Sequence, residues 1–155
     1  MYTGNYLRTE GTNGVLNFGK QFTQRPTRLK GYFKYTSVEI NKSNDEMKYL
    51  IGQPDTCQIF IALGDWSEPG EIRTKPSDRK LFDKNDPHII AYADMYSGKS
   101  VTEYTPFTLE LEYRDTDRIP TYIVVVASAS KYGDYFTGGD GSVLFLDDFT
   151  LEYDY

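Results

Sequence analysis

Period-two alternation recurs along this chain of 155 residues, and helical periodicity is almost absent from it. Phe107, Leu109, Leu111 and Tyr113 alternate with Thr108, Glu110 and Glu112, the pattern of a strand with one face in a core. Leu29, Gly31, Phe33 and Tyr35 share one face of another strand, with Lys30, Tyr32 and Lys34 on the other. Cys57–Leu63 is apolar on both faces, as a strand in the middle of a packed sheet should be. Tyr122–Ala127 reads as a second central strand, Val15–Phe18 as a short edge strand, and His88–Ala93 as a strand after a loop from Lys75 to Pro87. Gly, Pro, Asp and Asn punctuate the intervals, and Gly138–Gly141 turns the chain into its last strand. The best helical signal is Ser43 to Leu50, where Ser43 or Asn44 would cap a short turn. About eight strands without crossover helices imply an all-β fold: an antiparallel sandwich or barrel with at most one short helical turn. The length suits a single domain over residues 1–155, with no repeat or linker.

The tail from Gly141 to Tyr153 reads as one long strand with Val143, Phe145, Phe149, Leu151 and Tyr153 on an apolar face. Asp147 falls on that same face, where an unpaired carboxylate is costly. A buried Asp147 needs a cation, an ion pair with Arg25 or Arg28, or several backbone N–H donors. Strict alternation points Asp148 outward unless a bulge rotates the strand.

The composition narrows the function. Fourteen Tyr and nine Phe suit strands, and Tyr also suits surfaces that are apolar and hydrogen-bonding at once. A net charge of −6 with no basic run argues against nucleic acid. No stretch approaches the roughly 20 apolar residues of a membrane span, so the domain is not expected to insert in a bilayer. Met1-Tyr-Thr-Gly-Asn has neither the basic start nor the apolar run of a signal peptide, which fits a cytoplasmic protein or a domain cut from a longer exported one. The single Cys57 lies in an apolar run and reads as a buried structural thiol. With His88 the sole histidine, a histidine-rich zinc site is excluded, and His88 itself reads as a strand entrance.

Five stretches in order carry a resemblance: Gly19 to Tyr35, Ile61 to Trp66, Ile90 to Tyr92, Ala127 to Phe136, and Gly141 to Asp148. Together they resemble the putative carbohydrate metabolism domain of Bacteroides-type surface proteins, over nearly the whole chain from Tyr2 to Tyr153. The resemblance implies a jelly-roll, galactose-binding-like β-sandwich at the C-terminus of a longer exported protein. It also implies an outer-membrane-anchored parent at the cell surface or in the periplasm, with a neighbouring domain of that parent as partner. A glycan role is implied as well, with no catalytic residues to carry over.

Sugar recognition needs a flat aromatic face beside hydrogen-bonding side chains. Asp65 and Trp66, at the end of a central strand, offer that pairing, and so do Lys131, Tyr132, Asp134 and Tyr135 on a loop freed by Gly133. The alternative is that Trp66 packs over the sheet end and Tyr132 plugs the sandwich. Glu110 and Glu112 lie two positions apart, roughly 7 Å along one strand face, a spacing compatible with inverting glycosidases. Their surroundings read instead as an open, solvated face. Gly138–Gly141 lacks the Lys-Ser/Thr and the helix of a phosphate loop. The expectation is therefore a non-enzymatic carbohydrate-binding module, using Trp66 or Tyr132 and Tyr135 for stacking and Asp65, Asp134 and Lys131 for hydrogen bonds. No cofactor is required, with calcium at Asp147 the one metal to consider. The alternatives are a structural or adhesive sandwich and an accessory or catalytic domain of a glycoside hydrolase.

Overall fold

A computed structural model describes residues 1–154. Among these, the chain forms eleven strands and three short 3₁₀ turns. The strands are β1 (Gly4–Glu10), β2 (Asn13–Phe18), β3 (Lys20–Gln21), β4 (Arg28–Thr36), β5 (Cys57–Gly64) and β6 (Gly70–Arg73). They continue with β7 (Ile89–Ser97), β8 (Val101–Glu110), β9 (Glu112–Tyr113), β10 (Tyr122–Ser128) and β11 (Val143–Glu152). All the pairings within sheets are antiparallel. The expected all-β sandwich is therefore present, but as three layers. The sheet β3-β10-β5-β7-β9 lies between β11-β4-β8 and β1-β2-β6. Two of the 3₁₀ turns go beyond the one expected. Pro76–Asp78 begins on a proline whose fixed φ suits a first turn, and Gly133–Tyr135 closes on Phe136 in the left-handed region. The expected turn is Asp45–Leu50, capped by the Asn44 side chain on Met47 N.

The middle sheet explains why β5 is apolar on both faces. Ile59, Ile61 and Leu63 pack toward β4 and β8, against Leu29, Phe33, Phe107 and Leu109. Phe60 and Ala62 face the other way, against Phe18, Ile72 and Val124. Each of these large side chains stabilises the fold by roughly 1.5–3 kcal/mol through burial. Gly31 belongs to the first interface because a Cβ there would meet the Phe149 ring at 2.7 Å and Phe107 at 2.9 Å. Those two rings pack edge to face over it, 5.3 Å apart.

Three expectations change. Val15–Phe18 is not an edge, because β2 sits between β1 and β6. The alternating run from Phe107 to Tyr113 is interrupted at Leu111. Its first part pairs with β4 in an outer sheet, and Glu112–Tyr113 pairs with β7 in the middle sheet. Glu110 is held by Arg28 at 3.1 Å and does not share a sheet with Glu112, which removes the glycosidase pairing. In β11, a bulge at Asp147–Asp148 shifts the phase of the strand, with Asp148 at φ 51°. Before it Leu144 and Leu146 face the core while Val143, Phe145 and Asp147 are exposed; after it Phe149 and Leu151 turn inward.

Asp147 is consequently an exposed carboxylate that accepts from the backbone N–H of Asp148. Arg25 donates to the carbonyls of Arg118 and Asp115, and Arg28 to Glu110 and Asp154, so neither pairs with it. Among the described residues no group of three or more His, Cys, Asp or Glu could hold a metal. No helix among them is long and apolar enough to cross a membrane.

Candidate functional site

A cleft of about 820 Å3 opens at the end of the sandwich where β5 finishes. Two loops build it, one running from Asp65 to Pro69 and the other from Leu81 to His88. Gly64 lets the first loop fold back, because its missing side chain leaves room for the Trp66 indole directly over the strand. The indole N–H then donates to Asp86 Oδ2 at 2.9 Å, and the Trp66 ring meets Phe82 edge on at 6.5 Å. Phe82 in turn stacks on Phe60 at 4.9 Å, so the cleft is anchored on the second core. The backbone is fixed by Thr121, which donates to the carbonyls of Gly64 and Trp66.

Asp65 stands at the mouth between His88 and Arg118. Its Oδ1 lies 2.8 Å from His88 Nδ1 and its Oδ2 lies 3.0 Å from Arg118 Nη1. Partial burial works against its charge, but hydrogen bonds from His88 and Arg118 and the charge of Arg118 outweigh it and hold the carboxyl below the usual range. Glu71 is likewise held down by the Arg73 guanidinium. Asp86 accepts twice, from Trp66 and from the backbone N–H of His88. Asp83 accepts from the N–H of Asn85. Glu68, also lining the cleft, has no hydrogen-bond or ionic partner among the described residues.

The second expected loop lies elsewhere. β10 pairs with β5 so that Tyr122 faces Gly64 at one end and Ser128 faces Gln58 at the other. Lys131, Tyr132, Asp134 and Tyr135 follow Ser128, at the opposite end of the sheet from Asp65 and Trp66, so the two candidate loops do not share a pocket. Lys131 Nζ sits over Tyr96 at 4.1 Å and over Tyr132 at 5.3 Å. The Arg79 guanidinium covers Tyr135 at 4.4 Å. Burial pushes the Asp134 carboxyl up, against the opposing charge of Arg79. Asp55 fastens this end: it is 1% exposed and accepts from Ser130 Oγ, Gly139 N and Thr56 N at 2.6, 2.8 and 2.8 Å.

Sequence reasoning found Asp65 and Trp66 but missed Phe82, Asp86 and Arg118, and it read His88 as a strand entrance only. The turn Asn85-Asp86-Pro87-His88 carried a usable signal, since an Asp two residues before a free N–H folds back on its own backbone. Arg118 reaches Asp65 across 53 positions and leaves no local trace.

A search of curated proteins returns no match. Two solved structures from Bacteroides share the fold. One, from Bacteroides thetaiotaomicron, is 23% identical with a TM-score of 0.69, covering 92% of this chain and 47% of its own. Another, from Bacteroides vulgatus, is 21% identical with a TM-score of 0.67, covering 90% of this chain and 63% of its own. Both are described as putative glycoside hydrolases, and the expectation of a non-enzymatic binding module does not stand beside them. The chain spans about half to under two thirds of the length of these proteins. A family profile described as "Putative carbohydrate metabolism domain" matches residues 1–152, and the chain belongs to that family.

Proposed function

We propose that this domain serves glycoside hydrolysis and that the Trp66 cleft is where it grips the glycan being cleaved. The observation that carries the reading is the cleft's combination of rings and carboxylates. Trp66 and Phe82 offer apolar surface for a sugar's C–H groups, and Asp65, Asp86 and Glu68 line the same opening. Its volume lies in the range of small-molecule sites. Asp65 is locked as an anion by His88 and Arg118 and serves as a fixed acceptor for sugar hydroxyls. Glu68 has no such partner among the described residues, so its side chain can turn toward a glycosidic oxygen or a water. The two solved structures described as putative glycoside hydrolases support the reaction class. In the same reading the sandwich is a jelly roll, and the chain is one domain of a longer exported protein at the cell surface or in the periplasm. A neighbouring domain of that parent is its partner.

The test is release of reducing ends from a panel of plant and microbial polysaccharides by the purified protein, beside Trp66→Ala and Glu68→Gln variants. Trp66→Ala is expected to raise KM, and Glu68→Gln to lower kcat with little change in binding. Polysaccharide cleaved equally by wild type and Trp66→Ala would remove the cleft from the reaction, and cleavage of none would remove the reaction class. Full activity in Glu68→Gln would assign proton transfer to another group.

A further inference from the structure

Trp66 and Tyr132 stand at opposite ends of the middle sheet, yet rings linked in places by polar side chains join them. Trp66 meets Phe82 at 6.5 Å, and Phe82 stacks on Tyr92 at 6.5 Å with 15° between the planes. Tyr92, Asp94 and Tyr96 then follow on one face of β7, as strand alternation requires. Both phenols donate to the same oxygen, Asp94 Oδ2, at 3.0 and 2.7 Å, which fixes the two rings relative to each other. Lys131 closes the row by sitting over both Tyr96 and Tyr132. Tyr96 is 43% exposed, well beyond what a ring serving only the core would show.

We propose that the glycan is an extended chain of several sugar units, lying from the Trp66 cleft along β7 to Tyr132; this rests on the reading of the cleft as a glycan site. From its Gly64 end, beside Trp66, to its Gln58 end, beside the Tyr132 loop, β5 runs six residues, a span of ~20 Å, which is more than one sugar ring can cover. Past Tyr92, whose ring packs on Phe60 and Phe82 under Arg114, the row pairs ring surface with polar groups that the protein leaves available. Asp94 Oδ1 takes no hydrogen bond from the described residues, and the Lys131 ammonium has no carboxylate partner among them. The first accepts from sugar hydroxyls and the second donates to them. Trp66 and Tyr132 are thus the two ends of one track, with β7 as its rigid bed.

The experiment titrates the purified protein with xylan, mannan and β-glucan oligosaccharides from one to six units, with Tyr96→Ala, Tyr132→Ala and Trp66→Ala in parallel. In the series that binds, affinity is expected to climb at least tenfold from two to six units. Tyr96→Ala should return the six-unit affinity to the two-unit level while leaving the two-unit affinity unchanged. Tyr132→Ala provides the same readout should Tyr96→Ala fold poorly. Affinity that does not rise with length, or an equal loss at every length in Tyr96→Ala, overturns the track while leaving the cleft. Two-unit binding untouched by Trp66→Ala overturns the cleft reading itself, and no binding in any series overturns both.

Discussion

Replacing Gly64 with alanine puts a methyl group where three carbons of the Trp66 indole now lie. The φ of Gly64 is not in the left-handed region, so the backbone tolerates the side chain and the whole penalty comes from that collision. Forcing a methyl into a packed contact costs about 1–3 kcal/mol. For 155 residues, an unfolding entropy of about 2.1 cal/mol/K per residue gives roughly 0.33 kcal/mol/K. The expected loss is therefore about 3–9 °C in Tm. Relief comes only if the indole leaves its seat, which breaks its hydrogen bond to Asp86. The sharper form of the prediction is a double-mutant cycle by scanning calorimetry with Trp66→Ala. In the Trp66→Ala background the Gly64→Ala change should be nearly neutral, because the atoms it strikes are gone. A Tm loss from Gly64→Ala that is the same in both backgrounds would refute the account of how the cleft is built.

Other consequences are as direct. Asp55→Ala removes the acceptor of Ser130, Gly139 and Thr56 and leaves two backbone N–H groups unpaired. Urea unfolding should show a loss of about 2–4 kcal/mol, and a loss under 1 kcal/mol would contradict the fastening role. Asp65 is held below its ordinary pKa, and Asp115 is pushed down to about 2 by the backbone N–H groups of Arg118 and Asp117 and by the Arg118 side chain. Carboxyls lowered in the folded state contribute stability above pH ~4 and lose it as the pH falls through their folded values. The urea midpoint should therefore fall from pH 5 toward pH 2, and fall less in Asp65→Asn; identical pH curves for the two proteins would count against the Asp65 network. Burial pushes the Cys57 thiol up, so iodoacetamide should label it only as fast as the chain unfolds. Rapid labelling of the folded protein would contradict the packing of β5.

The middle of the fold was plain in the sequence because burial writes itself into residue type. A run apolar on both faces, Cys57–Leu63, can only lie between two layers, and it does. Partners are not written in the same way. Alternation continues from Phe107 through Tyr113 although the strand changes sheets at Leu111, since each sheet asks for the same inward-facing residues. The bulge in β11 was hidden for a related reason. Val143 and Phe145 are apolar but exposed, so reading the alternation straight through put Asp147 in the core. β1 was missed because it is largely exposed, Tyr6 and Leu7 included, and so carries no alternation of apolar and polar residues. At the cleft, Asp65 and Trp66 were legible as a polar–aromatic pair ending a strand. Their partners were not, because Asp86 and Arg118 arrive from 20 and 53 positions away through the fold.

Trp66 is the only tryptophan in the chain, so its fluorescence and its indole N–H signal report on the cleft alone. The most direct measurement is to follow both while titrating a glycan that the protein binds or cleaves. The account predicts a saturable change at Trp66 with a midpoint equal to the affinity measured by calorimetry. Glycan binding or cleavage that leaves both Trp66 signals unchanged would contradict the claim that this cleft holds the sugar.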